Sequence, residues 1–176
     1  MAQTYFLSSS ASDLSVPGDD FDNQMANAVG SDTLSQTTAK TATETSYGFT
    51  SANEPSDNGG TGAQSYTVTI EINTGNADVE LAINLHRINS TGTVQASAGI
   101  SAEQTATTGP LTYTFASLDL GTFASGDRVR IDFQTRATSL HNAEQLIYDL
   151  GSGTSGTRLL APWTAVVSST KVMIIS

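Results

Sequence analysis

Tyr66-Thr67-Val68-Thr69-Ile70-Glu71-Ile72 and Val79-Glu80-Leu81-Ala82-Ile83-Asn84-Leu85 decide the fold. Each stretch alternates strictly. In the first, Tyr66, Val68, Ile70 and Ile72 share one face; in the second, Val79, Leu81, Ile83 and Leu85 do. Alternation of period two puts one face on a core and the other toward water, which is the signature of a half-buried strand. Three further sets follow: Leu111, Tyr113 and Phe115; Val129, Ile131 and Phe133, with Arg128, Arg130, Asp132 and Gln134 outward; and Leu146, Tyr148 and Leu150. Weaker strands are expected at Thr45–Thr50, Thr93–Ala98 and Leu118–Phe123. Turn chemistry separates them, in Asn73–Asn76, Asn89–Gly92, Thr108–Pro110, Ser125–Asp127 and Gly151–Gly153, all of which contain glycine. Short alternating strands between such turns predict an all-β domain: a single jelly-roll-like antiparallel β-sandwich of about eight strands. An immunoglobulin-like sandwich is the second choice, without the Cys-Trp-Cys marker.

The strands occupy the middle of the chain. Residues 1–44 are rich in Ser, Thr, Ala and Asp, with no sustained period, and are expected to form an extended N-terminal arm. A short helix around Phe21–Val29, capped by Asp19 or Asp20, is one local expectation there. The β-sandwich domain is assigned to residues 45–163, and residues 164–176 to an apolar C-terminal strand or tail. That tail contains Val172-Met173-Ile174-Ile175, which reads as a further strand of the sandwich or as a strand added to a neighbouring subunit.

Composition narrows the function. The chain has 176 residues, enough for one domain with a sizeable core. Only 14% are charged, against roughly 25% in an ordinary soluble domain. The net charge is −10 with two lysines, and residues 1–60 carry eight acids against one base. Phosphate binding needs clustered Lys and Arg, so neither nucleic acid nor an anionic membrane is an expected partner. There is no cysteine, which excludes disulfides and thiolate zinc sites. Met1–Ser12 lacks a signal-peptide pattern, and no apolar run approaches the roughly 18 residues of a membrane helix. Synthesis in a cytoplasm is the expectation.

No catalytic constellation stands out. His86 falls on the outward phase beside Asn84 and is expected at the surface; His141 sits in a loop. Gly153-Thr154-Ser155-Gly156 lacks the spacing of a nucleophile elbow. Asp19-Asp20-Phe21-Asp22 and Asp57-Asn58-Gly59-Gly60 carry hard oxygen ligands but do not match a calcium loop. The chain is therefore expected to be no enzyme, with no catalytic residue, no metal site and no cofactor. Tyr66, Tyr113, Phe115, Phe133 and Tyr148 are inward and belong to the core. Phe123 and Trp163 remain as the pair that could serve a glycan, and they define the alternative function: a carbohydrate- or receptor-binding sandwich of a phage tail or a secreted protein.

Several segments carry a family likeness. They are Tyr47–Thr50, Leu85–Val94, Ser101-Ala102-Glu103-Gln104, Leu120–Val129 and Ala161-Pro162-Trp163. Over roughly residues 45–163 the chain resembles tailed-phage structural proteins of the capsid decoration, or cement, type. The resemblance implies a structural virion protein on the outer surface of the capsid. It implies binding to the major capsid protein and to copies of itself, commonly as a homotrimer. On that reading the arm and tail would grip neighbours through Tyr5, Phe6, Leu7, Phe21, Met25, Met173, Ile174 and Ile175.

Overall fold

A computed structural model describes residues 3–12, 14, 22–26, 33–38, 43–51, 62–138, 144–150 and 156–162. Within them lie twelve strands and no helix. They are β1 Gln3–Ala11, β2 Asp22–Ala26, β3 Thr33–Thr38, β4 Thr43–Thr50, β5 Gln64–Thr74, β6 Val79–Ile88, β7 Val94–Ser97, β8 Gln104–Thr105, β9 Gly109–Leu118, β10 Arg128–Ala137, β11 Glu144–Asp149 and β12 Arg158–Ala161. The hydrogen-bonded order is β3-β11-β5-β12-β1-β2-β4-β10-β6-β7, with β9 on the other edge of β5 and β8 beside β7 on β6.

One long sheet in this order folds over into an all-β sandwich. The ladder slips between Leu7 and Ala11, where β1 passes to β2. Contacts across the layers follow. Phe133 of β10 packs across on Tyr148 of β11 with ring centroids 5.2 Å apart, and beside it, within its own layer, on Phe49 of the paired strand β4 at 5.1 Å. Tyr113 of β9 donates its hydroxyl to Leu81 O of β6 at 2.5 Å. A buried tyrosine must place its hydroxyl proton, and this bond does so across the core.

The alternation read from the sequence holds at the core. Tyr66, Val68, Ile70, Val79, Leu81, Ile83, Leu85, Val129, Ile131, Phe133 and Tyr148 are all sealed from water. Leu111 and Phe115 are half-buried because β9 is an edge strand.

Five expectations need correction. The described residues alone form twelve strands rather than about eight. The pairing is mixed, since β2 runs parallel to β4. Asp22–Ala26, within the expected helix, is a strand, and no strand continues past Leu118 toward Phe123. Finally, the first 44 residues contribute β1, β2 and β3 to the sheet. β1 pairs with β12, Tyr5 opposite Leu159, and with β2, Leu7 opposite Met25. Its apolar pattern is only two inward residues long, too short to stand out in a Ser-rich run. Pairing to a distant strand makes it a strand.

Candidate functional site

Two outward sheet surfaces carry the polar chemistry. The first spans β4, β10 and β6. One rung across it reads Thr50, Arg130, His86 and Ser97; the next reads Gly48, Asp132 and Asn84. Asp132 ties the rungs together. Its Oδ1 accepts from Arg130 Nε at 2.5 Å, and its Oδ2 lies 3.1 Å from His86 Nε2. Arg130 is 1% exposed. Gly48 makes room for it: a Cβ there would sit 2.5 Å from Arg130 Cζ. Further along, Arg136 pairs with Glu80 and Glu103. The bond from Arg136 holds the Glu103 carboxyl below the usual carboxylate range. Ser97 donates to Asn84 Oδ1 at 3.0 Å.

This surface corrects the sequence reading of His86. Its phase is outward, as expected, but its exposure is 8%, because Arg128, Arg130, Thr50 and Ile88 on the same side are buried too. Nδ1 of His86 and Oγ1 of Thr50 are buried without a hydrogen bond. Among the described residues the imidazole thus has a carboxylate on one nitrogen and no hydrogen-bond partner on the other, and the cluster ties β6 to β10. Period-two phase gives the side of a sheet, not what covers that side.

The second surface spans β9, β5, β12 and β1. Beneath it, Tyr113, Val68, Leu159 and Tyr5 form a buried rung. On its outer side one rung reads Thr114, Thr67, Leu160 and Thr4. The next reads Thr112, Thr69, Arg158 and Phe6. Arg158 pairs with Glu71 at 3.4 Å. Leu160 is 43% exposed and Phe6 half-buried. Short β-branched side chains at matched register make a level surface. The Thr-x-Thr spacings 67–69 and 112–114 were visible in the sequence; their juxtaposition, and Leu160 among them, depends on pairing between remote strands.

The expected contact residues are dispersed. Tyr5, Leu7 and Met25 lie in the protein's own core and are not available to a neighbour. Phe6 keeps an outward position. Phe123 is fully buried, with Arg87 stacked 5.8 Å above its ring, so it is no glycan platform. Phe21, His141, Trp163, Met173, Ile174 and Ile175 fall outside the described residues. Among the described residues no cluster of three or more His, Asp or Glu could hold a metal. Burial pushes the Tyr66 hydroxyl up to about 12, with Asp119 adding to the effect, and raises that of Tyr113.

No protein family and no curated protein matches the chain. Solved structures do. A CocE/NonD family hydrolase from Staphylococcus aureus superposes on 93% of this chain with a TM-score of 0.52 and 10% identity. A structure of infectious bursal disease virus, Gt strain, superposes on 83% with a TM-score of 0.49 and 13% identity. The chain spans 36% of the hydrolase chain and 35% of the viral one. At this identity the likeness to the hydrolase is one of fold. It still overturns the expectation that the chain is no enzyme, which rested on the lack of a recognisable catalytic constellation in the sequence. The same architecture forms part of a hydrolase.

Proposed function

We propose that the chain is a structural module of a virus particle, seated on the outer surface of a capsid. There it would bind the major capsid protein and copies of itself, as the resemblance to phage decoration proteins over residues 45–163 implies. The observation that carries the reading is the threonine surface of β9, β5, β12 and β1. It is level, nearly free of charge and holds an exposed leucine. Interfaces between proteins are depleted of charge at their centres, and this surface has that composition. The buried contact residues Tyr5, Leu7 and Met25 move the expected attachment away from an arm and onto this face, with Phe6, Leu160 and Thr67 at its centre.

The test is attachment. The purified chain, mixed with assembled capsids of its source, should co-sediment with them. Leu160→Asp and Thr67→Lys should weaken attachment at least ten-fold without lowering the melting temperature by more than about 2 °C, since both sites face outward. Attachment unchanged in both variants, or no attachment by the parent, would reject the reading. Binding of the parent on a glycan array, lost in Trp163→Ala, would favour the carbohydrate-binding alternative.

A further inference from the structure

We propose that Ser97, His86 and Asp132 form a nucleophilic site on the outer face of β7, β6 and β10 that cleaves small, uncharged carboxylic esters.

Strand register brings the three together. Ser97 is the cross-strand partner of His86, and Asn84, two residues before His86, is the partner of Asp132. Ala98 N donates to Leu85 O at 2.8 Å. Leu85 and Ala98 are therefore a hydrogen-bonded pair, and the adjacent pair, His86 and Ser97, is of the closer, non-bonded kind. Directly opposed residues of this kind have Cβ atoms about 4.5–5.5 Å apart.

Each group has the neighbour its role needs. Asp132 lies 3.1 Å from His86 Nε2 and is itself held by Arg130, so the Nε2 proton faces the carboxylate. That sets the tautomer and leaves the lone pair on Nδ1. Nδ1 is buried with no hydrogen-bond partner. An acceptor left in that state is costly to a fold, and a proton from Ser97 would satisfy it. Ser97 is exposed. Its Oγ donates to Asn84 Oδ1 at 3.0 Å and accepts from Gly99 N at 3.1 Å. Gly99, at φ 76°, turns that N–H back onto the serine. One step between staggered rotamers swings the hydroxyl from Asn84 toward His86. Catalytic hydrogen bonds commonly close only when substrate is present.

The chemistry then balances. His86 Nδ1 takes the Ser97 proton as Oγ attacks the ester carbonyl carbon. The carbonyl electron pair moves onto oxygen, and the Asn84 amide, its own oxygen released by Ser97, presents its NH2 to that charge. Collapse expels the alcohol oxygen, which recovers the proton from Nδ1, and the acyl group stays on Ser97. Water, giving its proton to the same nitrogen, releases the acid and restores the serine. Substrate class follows from the surroundings. Ser97 stands on the last strand of the sheet order, with Ile100 52% exposed three residues on, a place for a short acyl chain. A chain of net charge −10 repels anions, so the ester is uncharged.

The isolated chain tests this with no capsid present and away from the threonine face, so the result is independent of attachment. With p-nitrophenyl acetate the parent should release nitrophenolate, and peptide mass mapping should find the acetyl group on Ser97. Ser97→Ala, at an exposed position, should keep the parent's melting temperature and lose about ten-fold or more of the hydrolysis, while Ser97→Cys should restore it. His86→Gln should slow acetylation of Ser97 about 100-fold, the order expected for loss of a general base. Asp132 is a positioning residue, so Asp132→Asn should lower kcat about ten-fold with KM unchanged. Hydrolysis equal in the parent and Ser97→Ala, acetyl groups on Lys40 or Lys171 in place of Ser97, Ser97 acetylation as fast in His86→Gln as in the parent, or an unchanged kcat in Asp132→Asn would each overturn the inference.

Discussion

Gly48→Ala should be among the most damaging single-methyl changes in the protein. Gly48 lies opposite Asp132 in the interior of β4, where a glycine weakens a strand unless something needs its space. Arg130 needs it. An added Cβ would fall 2.5 Å from Arg130 Cζ and 3.0 Å from its Nε. A flexible side chain could swing aside at a surface, but Arg130 is 1% exposed and bonded through Nε to Asp132. Two costs combine. Overpacking a filled site costs about 1–3 kcal/mol. Losing a hydrogen bond between charged groups costs about 1.5–3 kcal/mol. A total of about 4 kcal/mol is expected. In a chain of this size each kcal/mol moves the melting temperature by about 2–4 °C, so the loss should be about 8–16 °C by calorimetry or circular dichroism. The double variant Gly48→Ala/Arg130→Met isolates the clash. If the methyl harms the fold through the guanidinium, the two changes together should cost about 1–3 kcal/mol less than the sum of each alone. A melting point for Gly48→Ala within 2 °C of the parent, or strict additivity in the double variant, would refute this account of the cluster.

Two further outcomes follow from buried hydroxyls. Thr157 is fully buried; its Oγ1 donates to Asp149 O at 2.8 Å and accepts from Glu71 N at 3.0 Å. Thr157→Val keeps the shape and strands Glu71 N–H, while Asp149 O keeps its bond from Thr157 N at 3.1 Å, so about 1–3 kcal/mol of stability should be lost, measured by urea unfolding; a loss under 0.5 kcal/mol would count against the bridge. Tyr66 has its hydroxyl raised to about 12, so the folded state favours the neutral phenol. The corresponding stability is whole below pH 10, the ordinary tyrosine value, and drains away as pH rises toward 12. Absorbance at 295 nm should show Tyr66 and Tyr113 ionising later than an exposed tyrosine, together with alkaline unfolding. Ionisation of all tyrosines near pH 10 in the folded protein would contradict their burial.

The sequence was most legible where pattern and burial coincide. β5, β6, β10 and β11 carry unbroken period-two apolar sets, and all four lie where the alternation places them. β1 to β3 were not legible, since strands such as Thr33–Thr38 carry hardly any apolar residues and owe their pairing to β11 and other remote partners. The same limit governed the surfaces. Phase fixed the side of His86 and Arg130 but not their burial. Phe123, next to a glycine turn and outside any strand, gave no periodic cue to its place in the core. The threonine face needed four strands, drawn from residues 4 to 160, to be laid side by side.

The partnership of β1 with β12 sets a clock on biogenesis. Tyr5 leaves the ribosome roughly 150 residues before Leu159, a delay on the order of 10–30 s at ordinary elongation rates. Throughout that interval its eventual slot beside Leu159 does not exist, and the nascent chain must hold an apolar strand in reserve. Closing so large a loop is slow. Maturation should thus be limited by this late capture, which makes the newly made chain, rather than the finished one, the form most exposed to misassembly in the cell.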